Sequence, residues 1–160
     1  MVALAIDRHD GLQLDLRELG RDGPSYTVDT LLELRSQMVH DNPLAILIGA
    51  DSLLSLKSWS RWEKVLELAH IVVADRPGKN LESSDLLGLY GTEHVSDLHA
   101  RASGRIFRLK QRQHAVSATA IREAVASCDP TWTQWVDPAV AKFIREHGLY
   151  GYAPMDTDLN

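Results

Sequence analysis

The sequence predicts an α/β protein whose parallel sheet is flanked by helices. Two apolar runs carry the prediction, PLAILIGAD at 43–51 and HIVVAD at 70–75. The first is a continuous apolar run ending in Gly and Asp, the mark of a buried parallel strand, and the second reads as another such strand. Between them SRWEKVLELA places Trp62, Val65, Leu66 and Ala69 on one helical face. Strands alternating with helices imply parallel pairing through crossovers.

The elements follow in order. MVALAIDRH reads as the last turns of a helix, entered on an apolar stretch with no cap in front. LQLDL, 12–16, alternates like a short strand. RELGRDGPSY is a polar loop marked by Gly and Pro. TVDTLLELRSQMV then repeats apolar residues at Val28, Leu31, Leu32, Leu34 and Met38, a helical period. Thr27 is its expected N-cap, with Asp29 in the first turn where the helix dipole favours it. The stretch 76–105 is rich in Gly, Ser and charge, with a helical patch at SDLLGLY, and RIFRL is a strand candidate. AVSATAIREAV, 115–125, forms a helix with Ile121, Ala124 and Val125 on one face. DPAVAKFIREHGLY forms the last helix, with Asp137 as N-cap, Pro138 at the first helical position and Gly148 just past the end. One domain over 1–150 is expected, followed by a polar tail, 151–160, expected to be disordered.

Composition narrows the function classes. The chain has 160 residues, 44 % of them hydrophobic, and a net charge of −5. That acidity argues against DNA or RNA as the main partner, while a locally positive pocket could still bind a small anion. Cys128 is the one cysteine, so no intrachain disulfide forms and a reducing compartment fits. No apolar run approaches the length of a membrane span, and the first residues lack the basic and apolar regions of a secretory signal. A cytoplasmic protein without membrane or nucleic-acid partners is expected. None of the seven histidines falls in a helical ligand pair, so no protein-held metal site is expected.

In a parallel sheet ligands bind beyond the carboxyl ends of the strands. There the sequence presents Gly49-Ala50-Asp51, Asp75-Arg76-Pro77 and the approach to Ser117. Ser117 as N-cap leaves amides free for an anion, and Thr119 and Arg122, three apart, share a face near them. Ala120 stands where a capping box would want Glu or Gln, so no carboxylate competes for those amides. An ordinary capped helix explains the same spacing. Gly49 would let a ligand approach the backbone. Asp51 would accept bonds from ribose hydroxyls or cap the next helix. Trp59, in a polar loop, is either a stacking platform for a flat ring or a lid on the core edge. Thr27 could hold a carboxylate or phosphate at its helix start, or simply cap it.

Taken in order, RELGRDGPSYTVDTL, LIGADSLLSLKSWSRWEKVLELAHIVVADRPG, VSATAIRE and VDPAVAKFIREHGLY resemble one family, the bacterial nicotinate-nucleotide adenylyltransferases of the nucleotidyltransferase superfamily. They cover most of 1–150. The resemblance implies a Rossmann-like fold and transfer of AMP from ATP to nicotinate mononucleotide, assisted by Mg²⁺, giving deamido-NAD and pyrophosphate. It assigns Gly49, Asp51, Ser117, Thr119 and Arg122 to ATP, with Arg122 the expected catalytic side chain. It assigns Thr27, the indole of Trp59 and the backbone N–H of Ser60 to the nicotinate ring and its carboxylate. Members also carry an N-terminal strand, a Gly-Gly-Thr-Phe-Asp-Pro loop and an HxGH motif, none of which occurs in these 160 residues. The domain is therefore expected to be incomplete at its N-terminal βα portion. The alternatives are a non-catalytic nucleotide-binding remnant, or a related enzyme using nicotinamide mononucleotide. Phosphopantetheine has no flat ring for Trp59. A homo-oligomer is possible.

Overall fold

The computed structural model describes residues 1–39, 41–74, 81, 84–110 and 116–153. Its contacts divide the chain into two compact units, Leu16–Gln113 and a second made of Met1–Asp15 with His114–Asn160. Asp75-Arg76-Pro77 and most of the 151–160 tail lie outside the described residues.

The first unit holds the sheet. Strands β1 (Ala45–Gly49), β2 (His70–Ala74), β3 (Gly91–Thr92) and β4 (Ile106–Leu109) lie in the order β1-β2-β4-β3, every pair parallel. Helices α2 (Thr27–Gln37), α3 (Ala50–Leu54), α4 (Trp62–Leu68), α5 (Asp85–Tyr90) and α6 (Ser96–His99) connect and cover it. Alternation of strand and helix thus gave the architecture correctly. The core joins Val28 and Leu31 of α2, Leu53, Leu56, Val65 and Leu66 to Ile71, Val73 and Ile106 of the sheet. Trp62 packs half-buried against it, as its helical phase predicts. β2 is the strand covered most completely. β1 is not: Ile46 and Ile48 pack against the core, while Leu47 is 66 % exposed. Among the described residues only one face of that apolar run is covered.

Two polar clamps fix the amino ends of the strands. Arg35 donates to the carbonyl oxygens of Leu68 (2.7 Å), Asn42 (2.7 Å) and Ala102 (2.6 Å), which precede β2, β1 and β4. His70 is fully buried; its Nδ1 accepts from the Arg105 amide at 3.0 Å, so Nε2 carries the proton and donates to the Arg101 carbonyl at 2.9 Å. The sheet is tied at the end opposite to the one where ligands bind in such folds.

Residues 12–16 do not form the expected strand. They have no sheet partner, Leu12, Leu14 and Leu16 are all exposed, and the segment carries the boundary between the two units. Alternation is only half of what a strand needs; a neighbour must take up its backbone groups. Arg17–Gly20 follows as a 3-10 turn.

The second unit contains α1 (Val2–Ile6), α7 (Ala118–Ala126) and α8 (Pro138–Glu146) around Trp132, which is 2 % exposed and packs with Val125, Val140, Ala141 and Ile144. Tyr152 meets Trp132 edge-on at 6.4 Å, and the Arg145 guanidinium lies over its ring at 5.4 Å. The caps of α8 are those expected. Asp137 accepts from the Ala139 amide at 2.7 Å, Pro138 opens the helix, and Gly148 takes a left-handed φ of 56° beyond it. No side chain caps α1. Among the described residues no helix is long and apolar enough to cross a membrane.

Candidate functional site

Thr27, Trp59 and Ser60 come together. With Ser25, Tyr26 and Ser58 they line a cavity of about 210 Å³. One wall is the start of α2. Tyr26, not Thr27, is the N-cap, and its carbonyl receives the first bonds of the helix from the amides of Asp29 and Thr30. Thr27 sits one position inside, so its amide and that of Val28 precede the bonded turns. The sequence placed the cap one residue late because Thr is the commoner cap; here Tyr26 holds the extended backbone that the position requires.

The opposite wall follows the 3-10 turn Leu56–Ser58. The Trp59 amide donates to Leu56 O at 2.9 Å, and the next backbone bonds of the loop start at Lys64, which donates to Arg61 O. Among the described residues the Ser60 amide takes no part in them. Arg61 adopts φ 50° and ψ 46°, a left-handed kink that turns the chain from Ser60 into α4. The Trp59 indole is half-buried, with part of it against the core and part on the cavity. The residue closes the core edge, one of its two sequence readings, and it also lines the cavity.

Gly49 and Asp51 do not line that cavity. Gly49 ends β1 and is the N-cap of α3, and among the described residues no atom outside Gly49 and its chain neighbours lies within 4 Å of where its Cβ would stand. That open approach is what a ligand lying on the backbone needs. Asp51 is exposed and lies in the first turn of α3 rather than capping it. At the same ends of the sheet a cavity of about 410 Å³ is lined by Thr92, which ends β3, by Glu93 after it, by Phe107 to Leu109 of β4 and by Lys110 beyond.

In the second unit, Ser117 caps α7 and accepts from the Ala120 amide at 3.1 Å. The first intrahelical bond runs from Ile121 to Ser117 O, so the amides of Ala118 and Thr119 precede the bonded turns. Arg122 donates to Thr119 Oγ1 at 3.3 Å. Ser117, Thr119 and Arg122 are all exposed, and the helix opens with no acidic residue in its first turn. A hydroxyl that caps through its oxygen keeps its own proton for donation, so cap and anion contact are compatible.

Arg21 was not singled out in the sequence. Its guanidinium donates to Ser25 Oγ (2.8 Å), Thr30 Oγ1 (2.9 Å) and Glu33 Oε1 (2.6 Å), fastening the loop before Thr27 onto α2. Its signal was a charge inside a Gly-Pro loop, which solvent exposure explains equally well. Among the described residues no three His, Cys, Asp or Glu side chains gather to hold a metal ion. A magnesium ion carried on nucleotide phosphates and water needs no such cage.

A parallel sheet joined and covered by helices defines an α/β protein of the kind whose ligands lie beyond the strand ends. A sequence model of the cytidylyltransferase-like family matches residues 1–124. A "probable nicotinate-nucleotide adenylyltransferase" of Aeromonas hydrophila is 44 % identical over 155 residues, covering 94 % of this chain and 71 % of the relative. One of Stenotrophomonas maltophilia, described in the same words, is 44 % identical over 162 residues, covering 94 % and 72 %. The structure of Plasmodium falciparum nicotinic acid mononucleotide adenylyltransferase complexed with APC has the same fold, with a TM-score of 0.60 and 13 % identity over 96 % of this chain and 74 % of that one. The chain belongs to the cytidylyltransferase-like family and, within it, to the nicotinate-nucleotide adenylyltransferases.

Proposed function

We propose that this chain serves adenylyl transfer from ATP to nicotinate mononucleotide, forming deamido-NAD and pyrophosphate in NAD biosynthesis. The observation that carries the reading is the meeting of Thr27, Trp59 and Ser60 on one cavity. An indole wall flanked by the Thr27 and Ser60 amides, which take no part in the backbone bonds among the described residues, suits a flat ring bearing a carboxylate.

In this reaction an acceptor phosphate oxygen attacks the α-phosphorus of ATP, and the bond to the bridging oxygen breaks as pyrophosphate leaves. No protein nucleophile is required; the protein aligns two anions and stabilises charge on the leaving phosphates. Trp59 stacks on the nicotinate ring, and the Thr27 hydroxyl and Ser60 N–H donate to its carboxylate. Gly49 lets the nucleoside lie against the backbone, and Asp51 accepts from ribose hydroxyls. The amides opening α7, with Ser117 and Thr119, hold phosphate oxygens, and Arg122 grips the departing charge. The Arg122–Thr119 bond holds the guanidinium at that helix end before nucleotide arrives. Members of this family generally use a divalent metal with ATP. Mg²⁺ on the ATP phosphates would neutralise part of their charge.

Turnover is followed by pyrophosphate release from ATP and nicotinate mononucleotide, and acceptor binding by calorimetry. Arg122→Ala is expected to lower turnover roughly 100-fold and leave acceptor affinity within about threefold. Trp59→Ala is expected to do the reverse, weakening acceptor binding by roughly 10-fold or more. If both changed only the unfolding temperature, the site assignment would be wrong.

A further inference from the structure

Two charged residues beside the acceptor cavity have no part in the mechanism above. Asp29 stands in the first turn of α2, two residues after Thr27, and Arg61 directly follows Ser60. The Arg61 guanidinium donates to a carboxylate oxygen of Asp29, joining the two segments that wall the cavity. Their side chains are 53 % and 39 % exposed, a setting in which an ion pair adds little to folding. Arg61 also holds a left-handed backbone, a conformation that Gly or Asn adopts more readily. The position is thus occupied by a residue that disfavours this backbone and whose guanidinium bonds Asp29.

Charge explains the choice. Of the polar groups on the residues lining the cavity, the amides of Thr27 and Ser60 and the hydroxyls of Ser25, Thr27 and Ser60 can donate, while the Ser58 hydroxyl gives its proton to Ser55 O. That lining suits an anion. An unneutralised Asp29 beside it would repel one, and Arg61 cancels that charge.

We propose that the Asp29–Arg61 ion pair determines acceptor specificity: by neutralising Asp29, Arg61 lets the cavity admit a ring carrying a carboxylate rather than a neutral amide. This rests on the reading that the cavity takes the acceptor ring. The test is calorimetric titration of the chain with nicotinate mononucleotide and, separately, nicotinamide mononucleotide. Arg61→Asn, which tolerates the left-handed backbone, is expected to weaken binding of the acid roughly five- to tenfold while the amide changes by less than about twofold. Arg61→Lys should keep the preference, and Asp29→Asn added to Arg61→Asn should restore acid affinity. Equal weakening of both ligands by Arg61→Asn, or no restoration in the double variant, overturns the proposal while leaving the acceptor cavity in place. Binding of neither mononucleotide by the unaltered chain overturns the cavity assignment, and the role of the pair with it.

Discussion

Lys57 and Asp85 show how a single contact at the cavity margin acquires a pH dependence. Lys57 precedes Ser58, and its ammonium donates to the carboxylate of Asp85 at the start of α5. That hydrogen bond holds the Asp85 carboxyl below the ordinary aspartate value. A depressed carboxyl contributes stability that is present above its unfolded value and lost as pH falls through the folded one. Lys57→Ala should therefore move the Asp85 titration, followed by carboxyl NMR, up toward the ordinary value. An unchanged titration would show that Lys57 does not set it. Ser117 makes the second residue-scale prediction. Its hydroxyl satisfies the Ala120 amide, so Ser117→Ala should lower stability by about 1 kcal/mol in denaturant unfolding. Ser117→Asp should retain the cap while placing a negative charge where phosphate oxygens are proposed to sit, and so weaken ATP binding.

At the scale of elements, Arg35 makes the strongest claim. One side chain of α2 serves carbonyl oxygens ahead of β2, β1 and β4, so Arg35→Ala removes three bonds at once and leaves Ala102 O with the Leu44 amide. A loss of roughly 2–4 kcal/mol in urea unfolding is expected, well beyond an ordinary surface substitution. No local pattern signals this, because the contacts join residues up to 67 apart. What the sequence did disclose was local. The caps at Ser117 and Asp137, the left-handed Gly148 and the phase of α4 depend on neighbours within a few residues, and all lie where the pattern put them. Residues 12–16 failed because alternation cannot supply a partner strand. Thr27 lies one position and Asp51 two positions inside the observed caps, since several residues in a row could cap and only backbone conformation decides. The candidate site was legible in the same graded way. Thr27 lies about thirty residues from Trp59 and Ser60, so family resemblance, not spacing, grouped them before the cavity did.

For the whole molecule, the two units keep separate cores, one around the sheet and one around Trp132. Trp132→Ala should cost about 3–5 kcal/mol locally and raise hydrogen exchange in α7 and α8, with β1, β2 and β4 amides much less affected. Uniform loss of protection throughout the chain would mean that the cores unfold as one. The central claim is that the cavity between the start of α2 and the Trp59 loop receives the acceptor ring. Nitrogen-15 NMR of the labelled chain during titration with nicotinate mononucleotide tests it most directly. Saturable shifts are expected to concentrate at the amides of Thr27, Val28 and Ser60 and at the Trp59 indole N–H. Saturable binding that leaves those four signals unmoved would contradict it.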